Sequence, residues 1–166
     1  MDGFADSMIA RGPTLSEDRE TATGSLHVLS LPNAAAAAEF VANEPNNRAG
    51  VCSEHSIWRF ENLLGRTMWE FSGDADDPKF LVVARAHETP TTVRPSPPAG
   101  LPTAVRDRLI LYGALLNPDD STLTGIALAL AAPDRATLDT LLRDAHLALE
   151  PFPNVEVHNW EFGGRR

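Results

Sequence analysis

Moved back by 101 residues, the second half of the chain lies over the first without a gap from Asp6/Asp107 to Ala35/Ala136. Eleven of those thirty pairs are identical, among them Asp6/Asp107, Gly12/Gly113, Leu15/Leu116, Thr23/Thr124, Gly24/Gly125 and Pro32/Pro133. After one inserted residue the match resumes, with Trp58-Arg-Phe60 over Trp160-Glu-Phe162. A chain that repeats itself in this way has to use one fold twice. The period is far longer than a solenoid repeat, so each copy approaches a small domain, one over 1–73 and one over 79–166. The acidic, Gly-containing stretch Ser72–Pro78 reads as the linker between them.

Local signals in the two copies agree. Thr23–Leu31 is a run of β-formers stopped by Pro32, Asn33 is a helix N-cap, and Ala34–Asn43 is a helix ending before Pro45. In the second copy Thr124–Ala132 is the strand, Asp134 the N-cap and Ala136–Leu149 the helix, with Leu138, Leu141, Leu142, Ala145 and Leu149 on one face. A further strand follows each helix, over Glu54–Phe60 and Val155–Phe162. The segments around Gly12 and Gly113 form hairpins with the strands after them. Short helical stretches are expected before these, at Phe4–Ala10 and Ala104–Leu111. Only the second copy has a leading strand, Lys79–Ala86, which gives it the order β-α-β-β-α-β of the ferredoxin-like split βαβ arrangement. For the first copy, either Arg66–Phe71 completes the sheet or the coding sequence begins upstream of Met1. A loop with five prolines (Pro90, Pro95, Pro97, Pro98 and Pro102) follows the leading strand of the second copy.

Composition narrows the function. A formal charge of −9 with a single lysine, Lys79, leaves no clustered cations for a phosphate backbone, which argues against nucleic acid. No apolar run is long enough to span a bilayer, and Met1–Asp6 is acidic where a signal peptide is basic, so the expectation is a cytoplasmic protein without a membrane partner. Cys52 is the only cysteine, which removes an intrachain disulfide and a cysteine-based zinc site. It reads as a small buried apolar residue.

Gly24-Ser-Leu-His-Val-Leu, the Ala-rich helix, Glu44–Gly50, Ser56-Ile-Trp-Arg-Phe60 and Met8–Leu15 together resemble the YCII-related (YciI-like) family, and Val155–Gly164 is similar to its terminal strand. The resemblance implies an α+β fold: ferredoxin-like modules in tandem, packed in the manner of a dimeric α+β barrel around a small-molecule pocket. It also implies a His-Asp dyad, and in one lineage dehydrochlorination of a ring-derived substrate. The family's helix His has no counterpart here, because Pro102–Arg108 contains none.

Candidate residues follow from these readings. Asp6 and Asp107 are shared by the copies, and His87, at the junction of strand and Pro-rich loop, is the His best placed to serve Asp107 as a proton shuttle. Trp58, Trp69 and Trp160, each in a Trp-x-Phe pattern, and His55 beside the first of these make a candidate ligand wall, or else sheet core between the copies. His27 faces solvent or a pocket, and His146 and His158 read as exposed. No His, Asp or Glu spacing suits a metal, and no cofactor is implied. Two functions stand: a small-molecule lyase or tailoring enzyme acting on an aromatic or polyketide-like compound, or a non-catalytic binding protein that kept the fold and lost the dyad. An unfilled sheet edge in the first copy points to a homodimer.

Overall fold

The computed structural model describes residues 2–51, 54–86, 94–117, 121–145, 149 and 152–163. It is an α+β structure built on one antiparallel sheet of seven strands: β1 (Met8–Leu15), β2 (Ala22–Leu29), β3 (Arg59–Asn62), β4 (Lys79–Arg85), β5 (Leu109–Leu116), β6 (Leu123–Ala131) and β7 (Asn154–Trp160). Their order across the sheet is β2-β1-β7-β4-β6-β5-β3. Helices α1 (Ala34–Asn43), α2 (Pro45–Arg48), α3 (Thr103–Arg106) and α4 (Arg135–Asp144) complete the described elements, with 3-10 turns at Asp2–Ser7, Met68–Glu70 and Pro98–Gly100. None of these helices is long and apolar enough to cross a membrane.

The caps fall where local chemistry puts them. Asn33 Oδ1 accepts from the Ala36 amide at 2.9 Å and Asp134 Oδ1 from the Thr137 amide at 2.7 Å, each satisfying an amide that the first helical turn leaves without a partner. Each helix starts at the residue after its cap, Ala34 and Arg135.

Residues on the two faces of the sheet sort by alternation. On one face Phe80, Val82 and Ala84 of β4 join Tyr112, Ala114, Ile126, Leu128 and Leu130 beneath Val105 of α3 and Leu138 of α4. On the other face every strand contributes to a single cluster: Ala10, Val28, Phe60, Leu81, Leu111, Ala129 and Trp160, closed by Met68 and Trp69. A flat sheet cannot bring its first and last strands to one cluster, so the sheet is curled around this inner core.

The halves meet edge to edge. β1 pairs with β7 through Thr14↔Trp160 and Leu15↔Asn159, and β3 pairs with β5 from Arg59↔Leu116 to Asn62↔Gly113. The turn between β1 and β2 is clamped to the second half. Arg19 Nη2 donates to the Lys79 carbonyl (3.2 Å) and to Asn159 Oδ1 (3.0 Å), its guanidinium lies 4.9 Å from the Phe80 ring, and Asn159 Nδ2 donates back to the Ser16 carbonyl at 2.8 Å.

Several sequence expectations need correction. The stretches Phe4–Ala10 and Ala104–Leu111 are helical only as far as Ser7 and from Thr103 to Arg106; the remainder is strand, because Met8 and Ala10, and Leu109 through Leu111, are buried in the sheet. The first copy's late strand begins at Arg59, not Glu54, and the second copy's helix ends at Asp144. Arg66–Phe71 adds no strand: Met68–Glu70 is a 3-10 turn whose Met68 sulfur accepts from the Arg11 amide at 3.3 Å and fills the inner core. Phe60, not Trp58, takes the place that Trp160 holds. Thr14 and Leu115 are repeat partners, and they face Trp160 and Phe60 respectively.

Candidate functional site

An open cleft of about 450 Å³ lies where the chain after β3 passes the start of β5, lined by Leu64, Arg66, Ser72, Gly73, Pro98, Arg106 and Asp107. Asp107 caps the C-terminus of α3, with its side chain 66% exposed and Oδ1 3.6 Å from Arg106 Nε. Arg66 is held from below: its Nη2 donates to the Leu109 carbonyl at 2.6 Å, while its Nε is buried with no hydrogen-bond partner. In the adjoining core, the Tyr112 hydroxyl donates to the Ser96 carbonyl at 2.9 Å, two residues before the lining residue Pro98, and burial pushes its phenol up to about 12. Two guanidiniums against one carboxylate make this lining cationic in a chain of net charge −9.

A second polar group sits on the inner face of the sheet. Arg85 follows Leu81 and Val83 along that face of β4, while the register places His158 opposite Leu81 and Glu156 opposite Val83. Glu156 Oε1 accepts from Arg85 Nη2, and Glu156 Oε2 lies 3.4 Å from His158 Nε2. A carboxylate shared by a guanidinium and an imidazole is a residue set suited to proton transfer. All three side chains are part-exposed.

The residues picked out in the sequence are dispersed. Asp107 lines the cleft; Asp6 is exposed in the first 3-10 turn. His87 lies outside the described residues, as do Cys52 and His146. Among the aromatic candidates, Trp69 and Trp160 come together in the inner core, where Trp160 is fully buried and its indole N–H has no partner. Trp58, 38% exposed, precedes β3, and His55 is exposed in the same approach. His27 packs its ring against Phe40 of α1 at 5.4 Å, and burial holds it below its ordinary value of 6.5; the nearby Arg11 charge adds to that effect and Glu44 opposes it. Sequence reasoning missed Arg66 and Arg106, whose partners are distant in the chain. It also missed Arg85, Glu156 and His158, although the i, i+2 spacing of Glu156 and His158 in a strand was the available signal. Among the described residues no group of three or more His, Cys, Asp or Glu side chains converges to hold a metal.

Residues 4–61 match the model of the YCII-related domain, a span that runs from the first 3-10 turn through β1, β2, α1 and α2 into β3. No curated protein and no solved structure matches the chain. Over residues 4–61 the chain is thus similar to the YCII-related domain.

Proposed function

We propose that the chain is a two-copy YciI-like protein that binds a small anionic molecule with an apolar body, such as an aromatic carboxylate, in the cleft lined by Arg66, Arg106 and Asp107. In this reading the halves exchange strands within one chain, β1 to β7 and β3 to β5, in place of a homodimer of whole chains. The observation that carries the proposal is the lining itself: two guanidiniums flanked by Leu64 and Pro98 around a volume in the range of small-ligand pockets. Asp107 is largely exposed and no described His lines the cleft, which favours binding over proton shuttling there.

Calorimetric titration of the chain with salicylate tests this. Binding is expected, weakened about tenfold or more by Arg106→Ala through loss of a charge-assisted contact, and strengthened by Asp107→Asn through removal of a competing anion. Absence of binding at millimolar salicylate, or affinity indifferent to Arg106, would refute the assignment.

An enzymatic reading is favoured by one observation, the His158–Glu156 contact beside Arg85. It would place proton transfer on the inner face of the sheet, away from Asp6 and Asp107.

A further inference from the structure

We infer that the space between the free edges of β2 and β3 is the seat of an eighth strand, a single extended segment of β4's chemistry joined N-terminally to the turn at Asp2–Ser7. The inference rests on the two-copy reading. In the second half, β4 lies between β7 and β6. The first-half counterparts of β7 and β6 are β3 and β2, and these are the two ends of the sheet. Both ends turn apolar side chains into the same inner core, Leu26 and Val28 from β2 and Phe60 from β3, so the curl already carries them around one centre.

Burial differs between the halves in the way an empty seat requires. β5 is buried throughout and β6 almost so, whereas β2 is exposed from Ala22 to Ser25 and β3 is exposed at Arg59 and Glu61. The helices differ likewise. Leu138 of α4 shares a cluster with Phe80 and Val82 of β4, while α1, despite its run Ala34–Ala38, buries only Phe40.

β4 shows what the seat accepts: an antiparallel strand apolar on both faces, with Leu81 and Val83 inward and Phe80, Val82 and Ala84 outward. Such an occupant needs both edges free. Each of the seven strands has at least one edge paired, so a second copy of the chain would cap β2 or β3 without filling the space. Connectivity gives the direction. β4 leads through Ala86–Pro102 into α3, and the 101-residue shift lays α3 over the start of the Asp2–Ser7 turn, so the matching strand precedes that turn.

The test fuses the sequence Lys79–Arg85 through a flexible Gly/Ser linker to the N-terminus of the full chain and, separately, to its C-terminus. Hydrogen exchange is then followed at Ala22–Leu29, at Arg59–Asn62 and at β1. Expected in the unfused chain is fast exchange at β2 and β3 with slow exchange at β1, independent of protein concentration. The N-terminal fusion is expected to slow β2 and β3 at least about tenfold, and the C-terminal fusion to leave them fast. Unchanged exchange in the N-terminal fusion would overturn the seat, and equal slowing in the C-terminal fusion would overturn the connectivity. Concentration-dependent slowing in the unfused chain would make a second copy the occupant and refute the inference. Fast exchange at β1 as well would instead refute the two-copy fold beneath it.

Discussion

At the residue scale, the repeat preserves positions where backbone meets backbone. Gly12 and Gly113 sit inside β1 and β5, not in turns. A Cβ on Gly12 would lie 1.9 Å from the Glu161 carbonyl oxygen, and one on Gly113 would lie 2.1 Å from that of Glu61 and 2.5 Å from the Phe60 ring. The repeated spacing therefore marks the two seams between halves, where the sequence alone shows only a glycine within each expected hairpin strand. His27 shows a second residue-scale consequence. Burial against Phe40 lowers its folded-state pKa, so below pH about 6.5 the unfolded chain takes up a proton that the folded chain refuses. The contribution is complete above that pH and is lost as pH falls through it. Thermal melting at pH 7.5 and 5.5 should show a larger drop for the native chain than for His27→Gln. Equal drops would mean that His27 is solvated when folded.

At the element scale, what could be read from sequence was what neighbouring residues decide. Asn33 and Asp134 announce α1 and α4 because a cap bonds an amide three residues on. The β1-β2 and β5-β6 hairpins follow from alternation around Gly12, Gly24, Gly113 and Gly125. The start of β3 was misplaced because its pairing with β5 is decided across the molecule, by Phe60 packing over Gly113. Met68–Glu70 resisted reading for the same reason: its Trp-x-Phe pattern looks like a strand, yet the turn plugs the inner core. The cleft and the Arg85–Glu156–His158 group were illegible because cross-strand register and chain crossing leave no trace in local spacing. The β1-β7 seam depends on the clamp made by Arg19. Arg19→Ala removes two hydrogen bonds and a cation–π contact and should destabilise the chain by about 1–2 kcal/mol in urea unfolding. A change indistinguishable from zero would show that the turn is held by other contacts.

At the scale of the whole molecule, the 79–160 portion follows the expected β-α-β-β-α-β order, and the first half adds three strands to the ends of its sheet. The order β2-β1-β7-β4-β6-β5-β3 gives the second half a contiguous sheet, β7-β4-β6-β5, but leaves the first half none of its own, since β3 is separated from β1 and β2 by every strand of the second half. The inner core has the same character, drawing on all seven strands and the Met68–Glu70 turn. The strands of the first half are thus built onto the edges of the second half's sheet, and the shared inner core joins both into one unit. Native-state hydrogen exchange at increasing urea, followed at β1 and at β6, measures this directly. The account predicts that both segments merge into one global opening with the same free energy and the same urea dependence. Exposure of β1 in a separate opening at lower urea, with β6 still protected, would contradict it.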